Sequence, residues 1–107
     1  MPIVTNNTIK NEIAERALEY VFDPEIGLNV VDLGLIYQID FDEPEHTVLC
    51  TMTLTTEYCP MGESIIDGVR VALEVTFPGY AVTVNLTFDP AWNHDRISEA
   101  GLNFLNR

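Results

Sequence analysis

Cys59 is the residue of this sequence best placed to do chemistry, because it stands where one structural pattern gives way to another. Residues 51–64 read TMTLTTEYCPMGES, and a strand-like alternation ends there just before a helical pattern begins. Pro60 suits the first turn of a helix, so Cys59 is expected beside the free N–H groups of a helix N-terminus. Those groups favour the thiolate, the form that binds metal or attacks. The competing interpretation is a cysteine that fills one corner of a small core.

Metal binding is the better chemical hypothesis for this thiol. The sequence has no Gly-rich phosphate loop, no Gly-x-Ser-x-Gly elbow and no His-Glu-x-x-His motif. A thiol enzyme would need a histidine, and His94, which follows the last predicted strand, is the one expected to approach Cys59. An iron–sulfur cluster generally needs four ligands. A cluster on one thiol would therefore be shared between subunits, completed by a partner or small thiol, or held weakly and passed on.

The other candidate residues are a second cysteine and a group of carboxylates. Cys50 falls on the apolar face of a predicted strand and is expected in the core. Asp23 and Glu25 lie in an Asp-Pro-Glu turn, and Asp32 follows in the same turn-rich segment. Carboxylates in such a turn can support a metal, although Asp-Pro turns are common and surface acids usually do no chemistry.

The elements that would position these residues follow from the periodicity of apolar residues. A helix of about four turns is predicted over residues 8–22, and a second from residue 61 to the break at 77–80. Strands are predicted over residues 35–42, 48–55 and 81–88, with a terminal helix over 96–105. The expected inner residues are Ile9, Ile13, Ala17, Tyr20 and Val21 in the first helix, Met61, Ile65, Ile66, Val69, Ala72 and Leu73 in the second, and Ile97, Ala100, Gly101, Phe104 and Leu105 in the last.

This order predicts an α+β fold with a small mixed sheet packed against helices, α-β-β-α-β-α. The first two strands should form an antiparallel hairpin, and strands two and three should be the parallel strands of a βαβ unit. Cys59 would then stand just past the C-terminal end of a parallel strand, where α/β folds commonly place their sites. Residues 1–107 are interpreted as a single domain.

Charge and composition exclude several classes of partner. The chain carries 17 acidic and 5 basic residues, a formal charge of −12. The five cations are scattered, so neither nucleic acid nor an anionic membrane is expected as a partner. No apolar run approaches the ~20 residues of a membrane span, and the N-terminus lacks the features of a secretory signal. The cytoplasm is the expected compartment.

Three motifs in order resemble the PaaD/SufT-type domain, a family that includes the eukaryotic cytosolic iron–sulfur targeting factor. They are DPEIGLNVVDLGLIY from residue 23, Thr51-x-Thr-x-Thr-x-x-x-Cys59-Pro60, and Pro90-x-Trp92. The resemblance covers residues 8–105 and implies the iron–sulfur cluster assembly type of fold and a role in maturing iron–sulfur proteins. Matched by position, the functional residues of the family are Asp23, Pro24, Glu25, Asp32, Thr51, Thr53, Thr55 and Cys59.

The resulting hypothesis is a non-enzymatic accessory factor in iron–sulfur assembly. Cys59 would be the ligand of iron or of a labile cluster, or a transfer thiol, with Asp23 and Glu25 as further metal ligands. The supporting residues would be Asp32, Thr51, Thr53, Thr55, Glu57 and His94. Assembly proteins and apo-protein clients are the expected partners, and a homodimer is a further expectation. The alternative is an adaptor that recruits the assembly machinery without binding metal.

Overall fold

The computed structural model describes residues 3–58 and 60–106, which form a mixed four-stranded sheet with three α-helices. The elements are β1 (Val4–Thr5), α1 (Thr8–Leu18), β2 (Ile36–Asp42), β3 (Thr47–Met52), α2 (Gly62–Thr76), β4 (Ala81–Leu86), a 3-10 turn (His94–Arg96) and α3 (Glu99–Leu105). The spatial order of the strands is β1-β2-β3-β4. The predicted α+β fold is confirmed. Among the described helices, none combines the length and apolar character that crossing a membrane requires.

The predicted connections between strands are also confirmed, with one strand added. β2 and β3 pair antiparallel, and β3 and β4 pair parallel on either side of α2. The strand that the sequence did not predict is β1, which runs parallel to β2 and pairs at Gln38 and Ile39. Two residues are too few to produce a recognisable alternation. The sheet therefore joins two βαβ units through the β2–β3 hairpin.

The inner face predicted for the first helix is wrong for three of its five residues; of the other two, Ala17 is half-buried and Val21 packs against the core. Asn7 caps α1 by accepting the Lys10 N–H at 3.0 Å, and the helix ends at Leu18 instead of continuing to residue 22. Ile9, Ile13 and Tyr20 are 76%, 47% and 83% exposed. The buried residues of the helix are Asn11, Ala14 and Leu18. These also recur at three- and four-residue steps, so periodicity alone does not distinguish the two faces.

The core lies between the sheet and the two longer helices, largely as predicted. Val48, Cys50 and Met52 of β3 are fully buried, and so are Val69 and Leu73 of α2. Two strands, predicted over residues 48–55 and 81–88, end earlier than expected: β3 ends at Met52 and β4 at Leu86. Thr53 consequently leaves the alternation and is itself buried, and Met61, predicted to face inward, is 39% exposed.

The terminal helix predicted over residues 96–105 is interrupted. Ser98 has an extended backbone and caps α3 by accepting the Gly101 N–H at 3.0 Å, which separates the 3-10 turn from the helix. Ile97 and Gly101 are buried as predicted, whereas Ala100, Phe104 and Leu105 are exposed.

Gly34 and Gly79 provide a matched test of how closely two parts of the chain pack. These are the turn-rich segment that carries Asp23, Glu25 and Asp32, called the turn segment below, and the C-terminal segment that carries Arg96. Both have positive φ, +76° and +87°, but a Cβ at Gly34 would lie 2.2 Å from the Arg96 carbonyl oxygen, while one at Gly79 would meet nothing within 4 Å. Gly79→Ala should cost about 1–2 kcal/mol of backbone strain. Gly34→Ala should cost a further ~1–3 kcal/mol because backbone must move. Urea unfolding measures both, and equal losses would contradict the close approach.

Candidate functional site

Cys59 lies outside the described residues, and the chain on either side of it reaches the surface. Tyr58 is 87% exposed, and Glu57 and Pro60 are exposed as well. Residues 53–61, which we call the thiol loop, lead from the end of β3 to the start of α2. Met61 stands at the N-cap of α2 and makes no side-chain capping hydrogen bond.

The Asp-Pro-Glu turn forms as predicted, and the buried Asp23 stabilises it by accepting hydrogen bonds from its backbone. Asp23 is only 2% exposed, and its Oδ1 accepts the Glu25 N–H at 2.9 Å. The Asp23 carbonyl accepts the Gly27 N–H at 2.8 Å, and Gly27 takes a φ of +84°. Glu25, by contrast, is exposed. Of the two carboxylates, Glu25 is the one that faces solvent, while Asp23 holds the turn around it.

Asp32 uses both oxygens of its carboxylate to hold the structure together. Oδ2 accepts the Asn29 amide at 2.7 Å, and Oδ1 accepts the Ser98 hydroxyl at 2.7 Å. The Asp32 carbonyl also accepts the Ser98 N–H at 2.8 Å. Because Ser98 caps α3, these bonds fasten the C-terminal helix to the turn segment. Each carboxylate oxygen of Asp32 thus accepts one hydrogen bond that links the turn-rich segment to the C-terminal helix.

A series of backbone hydrogen bonds links the acidic turn to the thiol loop. The Val30 N–H donates to the Val21 carbonyl at 2.9 Å, and the Leu35 N–H donates to the Val30 carbonyl at 3.0 Å. The Thr53 N–H then donates to the Leu35 carbonyl at 2.9 Å. Residues 21–35 and the start of the thiol loop are therefore held at the same end of the sheet, as a common site requires.

The three predicted threonines do not form one row. Thr51 is half-buried and pairs in register with Gln38 and Asn85, whereas Thr53 is fully buried with its hydroxyl 3.4 Å from the Leu54 carbonyl. Thr55 is half-buried beyond it. A row would require extended chain as far as Thr55, but the strand ends at Met52. Thr53 therefore lies buried at the point where β3 ends and the thiol loop begins, and not on a polar face of the sheet.

His94 lies on the outer side of the turn segment. It is exposed, and its ring centroid is 5.3 Å from that of Trp92. The Trp92 indole N–H donates to the Leu33 carbonyl at 2.6 Å, which fixes this pair against residues 30–35. Whether His94 reaches Cys59 remains a prediction, because that thiol is outside the described residues.

Two residues near the site were missed by the sequence reasoning. The Arg96 guanidinium carbon lies 4.0 Å from the centroid of the Tyr37 ring, and the Tyr37 hydroxyl donates to the Pro90 carbonyl at 2.8 Å. Both residues line an open cavity of about 410 Å³ together with Thr51. Tyr37 ends the first of the three matched motifs and Pro90 begins the third, but no motif pointed to Arg96.

Cys50 is excluded from the site, as predicted. It is fully buried in the sheet core, and burial raises the pKa of its thiol to about 12, so the thiol is neutral at physiological pH. Within residues 3–58 and 60–106, no group of three or more His, Cys, Asp or Glu side chains is arranged to hold a metal ion.

Comparison with known proteins agrees with this architecture. Residues 11–86 match the family described as iron–sulfur cluster assembly protein, and the chain belongs to that family. A Porphyromonas gingivalis protein named Fe-S protein maturation auxiliary factor is 45% identical over 87 residues, 81% of this chain and 82% of the relative. The auxiliary factor SufT of Staphylococcus aureus is 40% identical over 78 residues, 73% of this chain and 88% of the relative. The resemblance drawn from the motifs is confirmed.

Solved structures share the fold along most of the chain. A domain of unknown function from Bacillus anthracis superposes with a TM-score of 0.83 at 32% identity, covering 94% of this chain and 98% of that one. A conserved hypothetical protein from Thermotoga maritima gives a TM-score of 0.75 at 36% identity, with 90% and 93% covered.

The structural role of Asp32 can be separated from metal binding by unfolding the metal-free protein. Asp32→Ala removes the acceptor of two charge-assisted hydrogen bonds and should cost about 2–3 kcal/mol of unfolding free energy. Glu25→Ala, in the same segment but exposed, should stay within ~0.5 kcal/mol of the parent. Urea unfolding of both variants tests this, and a loss for Asp32→Ala no larger than that for Glu25→Ala would contradict it.

The raised pKa of Cys50 predicts a loss of stability in alkali. The unfolded thiol loses its proton near its ordinary pKa of 9.0, while the folded thiol keeps it to about 12. Folding therefore loses ~1.4 kcal/mol per pH unit as pH rises above 9 toward 12, and nothing below 9. Comparing Cys59→Ser with the Cys59→Ser/Cys50→Ala double variant isolates this slope. Identical pH profiles would contradict the burial of the Cys50 thiol.

Proposed function

We propose that this protein is an accessory factor in the maturation of iron–sulfur proteins, with Cys59 as the thiol that contacts iron or a cluster. The observation that carries the proposal is the set of relatives, 40–45% identical over 73–81% of the chain, that are named Fe-S protein maturation auxiliary factors. The role is one of binding and hand-over and requires no chemical turnover by the protein.

The residues of the site have separate tasks in this proposal. Cys59 would supply the thiolate, and the N–H groups at the start of α2 would favour that charged form. Glu25 would supply an exposed carboxylate oxygen. Asp23 has one oxygen engaged by the Glu25 N–H, so it contributes mainly by fixing the turn. His94 and Glu57 are exposed and accessible to an incoming partner.

Iron or a cluster is cargo in this account. One thiolate and one or two carboxylates fall short of the four ligands that a cluster generally needs. The remaining ligands would come from an assembly protein or from the apo-protein client, and transfer would be an exchange of ligands between the two. Such an exchange needs a reduced thiol, which a cytoplasmic location provides.

Metal analysis after anaerobic reconstitution with iron and sulfide tests the assignment of Cys59. The wild type should acquire iron and the visible absorbance of thiolate-bound iron, and Cys59→Ser should lose both while unfolding at the same urea concentration. Cys50→Ser is the matched control: it should keep the iron but lose about 1–3 kcal/mol of stability, because a hydroxyl replaces a buried thiol.

The outcome that contradicts the ligand assignment is equal iron content in wild type and Cys59→Ser. Should neither protein bind iron while both bind assembly proteins equally, the adaptor hypothesis would replace this one.

A further inference from the structure

Arg96 differs from the other cations of the chain in its surroundings. The sequence holds 17 acidic and 5 basic residues, so carboxylates are available to pair with every cation. Lys10 and Arg70 form ion pairs, and Arg16 is exposed on the surface of α1. Arg96 is half-buried, yet in the part of the chain that the structure describes its guanidinium makes no ion pair and no hydrogen bond. Unused donors on a half-buried cation require an explanation.

Contacts at both ends of the Arg96 side chain hold it in position. The guanidinium carbon lies 4.0 Å from the centroid of the Tyr37 ring, which is a cation–π contact. The Tyr37 hydroxyl donates to the Pro90 carbonyl at 2.8 Å and so fixes the ring. At the other end, the Arg96 Cβ packs so closely on Gly34 that a Cβ added there would lie 2.6 Å from it. The guanidinium is thus positioned without its N–H groups being used.

These N–H groups border the open cavity of about 410 Å³ described above, which we call the Arg96 cavity. Its polar lining includes Thr51, Thr87, Asp89 and Arg96. Cys50 and Met52 are buried in the core, so the side chain of Thr51 between them points to the opposite face of the sheet. Thr51 is half-buried, and its hydroxyl makes no hydrogen bond to another described residue. The cavity therefore offers a second unused donor besides the guanidinium.

The charge of the lining favours a ligand with a single negative charge. Among the described residues that line the cavity, Arg96 is the one cation and Asp89 the one acid. A doubly charged anion such as phosphate would be repelled by Asp89 and by a chain of net charge −12, with one cation to compensate. A carboxylate carries one charge, and its two oxygens match the planar fork of arginine donors.

We propose that the Arg96 cavity binds the carboxylate of a small organic acid. The carboxylate accepts two N–H groups of Arg96, and the Thr51 hydroxyl donates a third hydrogen bond. Cavities of ~300–1,000 Å³ are typical of small-molecule sites, so there is room for a short organic body as well as the carboxylate. Val4 and Pro90 line the same cavity and supply apolar surface for that body.

This binding goes beyond the proposed function and does not involve iron. Arg96, Tyr37 and Thr51 all belong to the described residues, and Cys59 has no part in the argument. The experiment therefore uses the reduced, metal-free wild-type protein. A failure of carboxylate binding would leave the iron assignment of Cys59 untouched, and equal iron content in wild type and Cys59→Ser would leave the carboxylate site untouched.

Titration followed by nuclear magnetic resonance tests the site on the unaltered chain. The probes are propionate and benzoate, with inorganic phosphate and N-acetyl-dialanine at matched ionic strength. Both acids should shift the Arg96 Nε–H and the amides of Tyr37 and Thr51 in a saturable way. Phosphate should bind more weakly than either acid, and the peptide carboxylate no more tightly than the acids.

Variants separate the guanidinium from general electrostatics. Arg96→Gln should weaken benzoate binding about 10- to 100-fold, because it removes charge-assisted hydrogen bonds. Arg70→Gln is the matched control, since it removes the same charge from an exposed ion pair and should leave binding unchanged. Asp89→Asn removes a like charge from the cavity and should strengthen binding about two- to five-fold. If Arg96→Gln does not fold, the wild-type shifts and Asp89→Asn still decide the question.

Three results would overturn the proposal. The first is the absence of a saturable shift at Arg96 and Thr51 with either acid. The second is an equal effect of Arg96→Gln and Arg70→Gln, which would indicate diffuse attraction and no site. The third is tighter binding of phosphate or of N-acetyl-dialanine than of both acids, which would assign the cavity to a different anion or to a peptide carboxylate.

Discussion

The backbone hydrogen bond from the Thr53 N–H to the Leu35 carbonyl is the contact on which the arrangement of the site depends. Both residues are completely buried, so breaking the bond would leave two polar groups without water or another partner. Thr53 and Leu35 both lie outside the regular elements, just beyond β3 and just before β2. The bond extends the antiparallel register of the neighbouring Ile36–Met52 pair by one step, into the turn-rich segment and the thiol loop.

Buried residues lie beneath the exposed groups of the candidate site. Leu33, Leu35 and Thr53 are buried beneath the site, and Asp32 and Trp92 fasten the C-terminal segment to the same base. Above it, Glu25, Tyr58 and His94 are exposed. The supporting residues are held in place by neighbours, while the residues proposed to meet cargo or partners remain accessible.

Elements with strong alternation or strong helical periodicity could be predicted from the sequence. Elements with short or ambiguous patterns, and contacts between distant residues, could not. The burial of Val48, Cys50 and Met52, and of Val69 and Leu73, followed from their spacing. β1 is too short to leave a pattern, and α1 carries apolar residues on two faces, so its inner side was misassigned. The role of Asp32 depends on Ser98, 66 residues away, which no local motif specifies. The assignment of Cys59 came from its place between a strand pattern and a helical pattern and from the order of the motifs, and it stays a prediction.

Amide hydrogen exchange at Thr53 tests most directly whether the acidic turn and the thiol loop are locked together. If the bond to the Leu35 carbonyl holds the two segments, the Thr53 amide should exchange as slowly as that of Cys50 in the middle of β3, through global unfolding. The Tyr58 amide, in the exposed part of the thiol loop, should exchange far faster. A Thr53 amide that exchanges as fast as that of Tyr58 would contradict the account, because the acidic turn and the thiol loop would then move independently.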